Sequence, residues 1–162
     1  MNGKRSMLAP GVLAGAAAGI CSLLALAVRG RVELKSAVAP VNAPSHWLWG
    51  DAALRQRKWS WRYTGAGLAV HQASAVMWGL WHARRSSQPP APLRDAAVTT
   101  ATAALVYLAL TPRRFTPGFE QRLSPRGLAW VYAAFAVGLA LGSRAGRPSS
   151  AGSGRPMPRG PV

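Results

Sequence analysis

Acidic residues are nearly absent: Glu33, Asp51, Asp95 and Glu120 are the only four in 162 positions. None falls inside a long apolar stretch, where a proton- or cation-coupled transporter normally keeps a carboxylate. Cysteine is scarcer still. Cys21 stands alone and can form no intrachain disulfide, so nothing suggests a stapled secreted domain. The phosphate-loop, G-x-S-x-G, H-E-x-x-H and C-x-x-C patterns are missing too. No reaction is legible, and an enzyme is not the expectation.

Against the four acids stand 20 basic residues, 17 Arg and 3 Lys, for a formal charge of +16. The bases gather at segment ends and not along one helical face, which argues against a nucleic-acid partner. Arginine that snorkels to headgroups at the ends of apolar segments is the simpler account, with the lipid bilayer as partner. The Ala-, Gly-, Arg- and Pro-rich composition also fits a high-GC bacterial genome.

Four stretches are nearly free of charge: Leu8 to Val28, Tyr63 to Trp81, Ala96 to Thr111 and Gly127 to Ser143. The first two reach the roughly 20 residues that cross about 30 Å of hydrocarbon; the last two sit near the lower limit. Two such short segments could belong to a soluble core, but a soluble helix carries a charged face and these do not. The expectation is an all-α polytopic membrane protein, a four-helix transmembrane bundle over residues 1–143. Residues 144–162, rich in Gly, Pro, Ser and Arg, are expected to be a disordered basic tail. The first stretch also resembles an export signal, with Lys4 and Arg5 ahead and Ala25-Leu26-Ala27 as a cleavage site. Arg29 and Arg31 just beyond that site argue for a retained helix. Orientation is undetermined, with nine Lys and Arg on one side and eleven on the other.

The long first loop holds Trp47, Trp49, Trp59 and Trp61 beside Arg and Lys, the composition of a segment at the membrane interface. It is expected to lie on the bilayer surface or fold back on the bundle. Ser45 is a candidate N-cap for a short helix, and Asp95 for the third span. Small residues form ridges suited to close helix packing: Gly11, Gly15 and Gly19 in the first span, Gly138 and Gly142 in the fourth.

The second span carries the most informative pattern. Thr64, Gly67, His71, Ser74 and Trp78 recur every three or four residues and should face the bundle, with Val76 and Leu80 toward lipid. His71 is the only ionisable side chain well inside a span, hence a functional candidate; a ring hydrogen-bonded to a neighbouring helix is the alternative. Gln72 points elsewhere and should bond another helix. His82 follows three turns later, about 16 Å along the axis, too far to share one ion with His71. It could pair with Asp95. No metal and no cofactor are expected.

Pro40-Val-Asn-Ala-Pro-Ser-His-Trp-Leu-Trp-Gly-Asp, Arg62-Tyr-Thr-Gly, His71-Gln-Ala-Ser and Thr111-Pro-Arg-Arg-Phe-Thr-Pro-Gly-Phe-Glu resemble a group of small proteobacterial inner-membrane proteins. The resemblance covers most of residues 8–143 and implies a multi-pass inner-membrane protein, without an activity. It draws attention to Asn42, Ser45, His46, Trp47, Trp49, Asp51 and His71. Three functions follow as expectations. The first is a scaffold or accessory subunit, homo-oligomeric or with a membrane-protein partner, acting through helix and lipid contacts. The second is a small transporter or channel with His71 on a polar path. The third is an interfacial enzyme using His46 and Asp51.

Overall fold

The computed structural model describes residues 7–86 and 90–145, and among them all regular structure is helical. Four long helices dominate: α1 (Leu8–Leu34), α2 (Ala66–Arg85), α3 (Pro92–Leu105) and α4 (Pro125–Ala145). The expected basic tail lies outside the described residues from position 146 on, as do residues 87–89 of the second connection.

Each helix runs past its apolar stretch at one end at least, for local reasons. α1 continues past Val28 because Arg29 and Glu33 pair one turn apart, Nη2 to Oε1 at 2.5 Å. It stops at Lys35, which takes the left-handed conformation at φ 55°. α2 is entered through a wide turn, Trp61–Gly65, in which the Gly65 amide reaches back to Ser60 O (3.4 Å). α3 starts on Pro92, whose missing N–H costs nothing at the first helical position. Asp95 therefore sits inside the first turn and is not the cap. Ser45 does stand at the N-cap position of a short helix, His46–Trp49, but its hydroxyl donates to Asn42 O (2.7 Å) and caps no amide. A second wide turn, Val106–Leu110, ends α3, with Thr111 N donating to Val106 O at 2.8 Å.

Among the described residues three helices are long and apolar enough to cross a membrane: Leu8–Leu34, Pro92–Leu110 and Pro125–Ala145. α2, with His71, Gln72, Ser74 and His82 in its 20 residues, is not among them. α1 is central. It packs on α2 along one side and α4 along the other, while α3 leans on α4 and more lightly on α2.

The small-residue ridges make this packing possible. A Cβ on Gly15 would stand 2.5 Å from Val76 Cα, and one on Gly11 would stand 2.9 Å from Leu80 Cα. On the other flank Cβ atoms on Gly138 and Gly142 would stand 2.5 and 2.6 Å from the Cα atoms of Ala18 and Ala14. Stepping forward along α1 means stepping back along α2 and along α4, so both run antiparallel to α1. The ridges thus meet partners inside the chain. Val76 and Leu80 correct the sequence reading, because their backbone lies against α1. The outward row of α2 is Leu68, Ala69, Ala73 and Met77. α2 has two packed faces, and periodicity identified only the polar one. Apolar side chains face outward along the other helices, among them Ile20, Leu24 and Val28 of α1 and Val137 and Leu141 of α4, each more than half exposed. In water such a girdle would be costly; against lipid it is not.

Candidate functional site

The first loop folds back over one end of the helices. Residues 39–46 are buried throughout, so the segment from Ala39 to His46 is core and not surface. Asn42, 0 % exposed, organises it. Its Nδ2 donates to Gln56 O (3.3 Å) and Lys58 O (3.2 Å), and its Oδ1 accepts from Thr64 Oγ1 (2.7 Å). Gly67 gives the loop room, since a Cβ there would strike Val41 O.

The third connection joins the first. His46 Nε2 and Trp47 Nε1 both donate to Thr116 O, each at 2.7 Å. Gly118, at φ 84°, lies against the His46 ring, where a Cβ would come within 2.8 Å of Cδ2. Arg122 reaches Leu54 O and Arg57 reaches Leu34 O. Burial, then the nearby Arg57 guanidinium, push Arg122 below the usual arginine range. The two loops form one roof. Trp49, Trp59 and Trp61 remain exposed at its edge, with Trp49 stacked under the Arg62 guanidinium at 4.5 Å.

Asp51 does not join this arrangement. It is exposed at the start of a short helix, Asp51–Leu54, and no hydrogen bond or ion pair links it to the buried His46 among the described residues. The structure does not assemble a His46/Asp51 catalytic pair.

Beneath the roof a cavity of about 50 Å³ lies between all four helices. A single water needs roughly 10–15 Å³, so several fit. α1 contributes Ser22, α2 contributes His71, Ser74 and Trp78, α3 contributes Tyr107 and α4 contributes Tyr132 and Phe135. Trp47 and Phe119 descend from the roof. The walls are aromatic, and Trp78 stands edge-on to Tyr107 (6.1 Å) while donating through Nε1 to its hydroxyl (3.3 Å).

His71 is the cavity's polar feature. Its Nε2 lies 3.1 Å from Ser22 Oγ and 3.3 Å from Gly19 O. A carbonyl only accepts, so Nε2 carries the proton, and the neutral ring keeps an acceptor lone pair at Nδ1. Nδ1 has no hydrogen-bond partner among the described residues. Ser74 lines the same cavity. Gln72 turns away, as expected, and donates to Ala16 O on α1 (3.4 Å).

Sequence reasoning missed the residues that the third connection and α4 bring here. Both carboxylate oxygens of Glu120 and the hydroxyl of Tyr132 are buried without a hydrogen-bond partner. They lie close enough for the Glu120 charge to act on Tyr132. Neither carries a signal, because one sits in an irregular loop and the other is a tyrosine near the start of a span, where such residues commonly anchor at the interface.

His82 occupies the opposite end. Its ring bridges three helices, Nδ1 to Thr99 Oγ1 (2.9 Å) and Nε2 to Ser143 Oγ (2.8 Å). Thr99 in turn donates to Asp95 O (2.9 Å), and Asp95 lies close enough for its charge to act on the His82 ring, so the expected pair does come together. Among the described residues no three His, Cys, Asp or Glu side chains gather to hold a metal. Set beside family models, curated proteins and solved structures, the chain matches none of them.

Proposed function

We propose that this chain crosses the bacterial inner membrane four times and carries a small, mainly apolar molecule in the roofed cavity, oriented by His71. The observation that carries the reading is the His71 ring on the wall of a largely aromatic cavity, with its Nδ1 left without a partner among the described residues. Such a site is a mainly apolar pocket with a few polar groups, the usual form of a small-molecule site. The fitting ligand has the bulk of a single ring and one hydrogen-bond donor. An ion is a poor fit, since the walls offer hydroxyls and one imidazole but no charged side chain.

The fourth crossing rests on α2. It lies antiparallel along α1 from Gly11 opposite Leu80 to Ser22 opposite His71, and so shares the depth of a helix apolar enough to span. Its polar groups turn inward, where lipid does not meet them. The resemblance to small proteobacterial inner-membrane proteins supports the location.

The scaffold reading loses its main support because the glycine ridges are consumed within the chain. On α2 the small residues left facing outward are Ala69 and Ala73, beside Met77, and a partner helix would pack there. Cross-linking from that row separates the two readings.

The cavity reading is tested with phenol and toluene, equal in bulk and differing in the donor. In detergent, phenol should raise Tm more than toluene does, and His71→Leu should abolish the difference. Equal shifts from both probes in the unaltered protein would refute the reading.

A further inference from the structure

At the end of the molecule away from the roof, the last turn of α2 and the first turn of α3 enclose a second, polar pocket of about 180 Å³. Trp81, His82 and Arg85 line it from α2, and Arg94, Asp95, Val98 and Thr99 line it from α3. Both guanidinium groups are exposed, and among the described residues neither has an acidic partner. Arg85 leans over the Trp81 ring at 5.3 Å, which holds it at the pocket's rim. Among the described residues no side chain caps the amides at the start of α3 above the pocket, so its positive end adds to the field.

From this pocket we infer a binding site for one anionic phospholipid, its phosphodiester seated between Arg85 and Arg94. Charge fits first. Two arginines against the single carboxylate of Asp95 leave one positive charge, the match for a phosphodiester monoanion. Shape fits next. Below Arg94, the residues Val98, Ala101 and Leu105 continue on the same outward row of α3 at spacings of three and four, all exposed, as a track for an acyl chain. Depth fits last. The pocket sits at the helix ends, where Trp81 and the arginines mark the headgroup level. Free phosphate would find the same guanidinium groups but no use for that track. The inference needs the membrane reading and is independent of the cavity around His71.

The test uses the full chain, delipidated in detergent and returned to phosphatidylcholine nanodiscs with or without phosphatidylglycerol. Retained lipid is read by native mass spectrometry. The protein should keep one phosphatidylglycerol, and R85Q/R94Q should weaken that retention about thirty-fold, given the usual contribution of each interfacial arginine. The control R113Q/R114Q, with the same charge loss at the opposite end, should retain it. Equal retention in both double variants overturns the site. Displacement of the lipid by inorganic phosphate at matched concentration overturns the assignment to lipid. Failure of the chain to enter nanodiscs at all would be a failure of the membrane reading, visible separately.

Discussion

His71 and Ser22 tie α2 to α1 inside the cavity, Nε2 to Oγ at 3.1 Å, and this one contact uses one ring nitrogen while leaving the other for a ligand. Structure and chemistry are therefore separable at His71. His71→Ala should cost about 1–2 kcal/mol of stability through the lost bond. His71→Gln should recover part of that stability without restoring the preference for phenol over toluene. Thermal denaturation in detergent, with each probe, reads both effects.

Gly15 and Gly138 hold α1 between its neighbours. Gly15→Leu or Gly138→Leu should destabilise the monomer by about 3 kcal/mol or more, because a side chain would have to displace backbone at 2.5 Å. Gly65→Ala, whose Cβ meets the Trp61 ring only at 3.3 Å, should be mild by comparison. Loss of self-association with an intact monomer fold in Gly15→Leu would instead return the ridge to an intermolecular role.

Asn42 fastens the roof. Asn42→Ala removes bonds to Gln56, Lys58 and Thr64, and should cost about 2–3 kcal/mol. The loss should appear as faster hydrogen exchange at residues 39–58, with α4 protected as before. Uniform loosening across all helices would mean that the roof and the helices are one cooperative unit.

Glu120 is buried without a partner, and such a group is expensive to keep. Glu120→Gln should raise Tm, by on the order of 1 kcal/mol of stability. A fall in Tm would show that the carboxylate is paired in solution, with Tyr132 the first partner to examine.

These sites differ in how far the sequence revealed them. Gly67, His71, Ser74 and Trp78 were readable because one helix presents them at a fixed interval, and the fold keeps them on one inward face. The second packed face of α2 was invisible, since Val76 and Leu80 are equally apolar against lipid or against Gly11 and Gly15. The roof was read half correctly. Its tryptophans suggest an interface, yet His46, at the end of the buried Pro40–His46 segment, meets Thr116 and Gly118, about 70 residues away along the chain. No local pattern encodes that meeting. Glu120, Tyr107 and Tyr132 converge in the same way, through tertiary packing alone.

Extraction with alkaline carbonate tests the central claim most directly, because it strips proteins held at a membrane surface and leaves those whose helices lie in hydrocarbon. The chain should stay entirely with the membrane pellet and leave it only in detergent. Recovery in the carbonate supernatant as a soluble monomer would contradict the account, since Ile20, Leu24, Val28, Val137 and Leu141 would then be facing water.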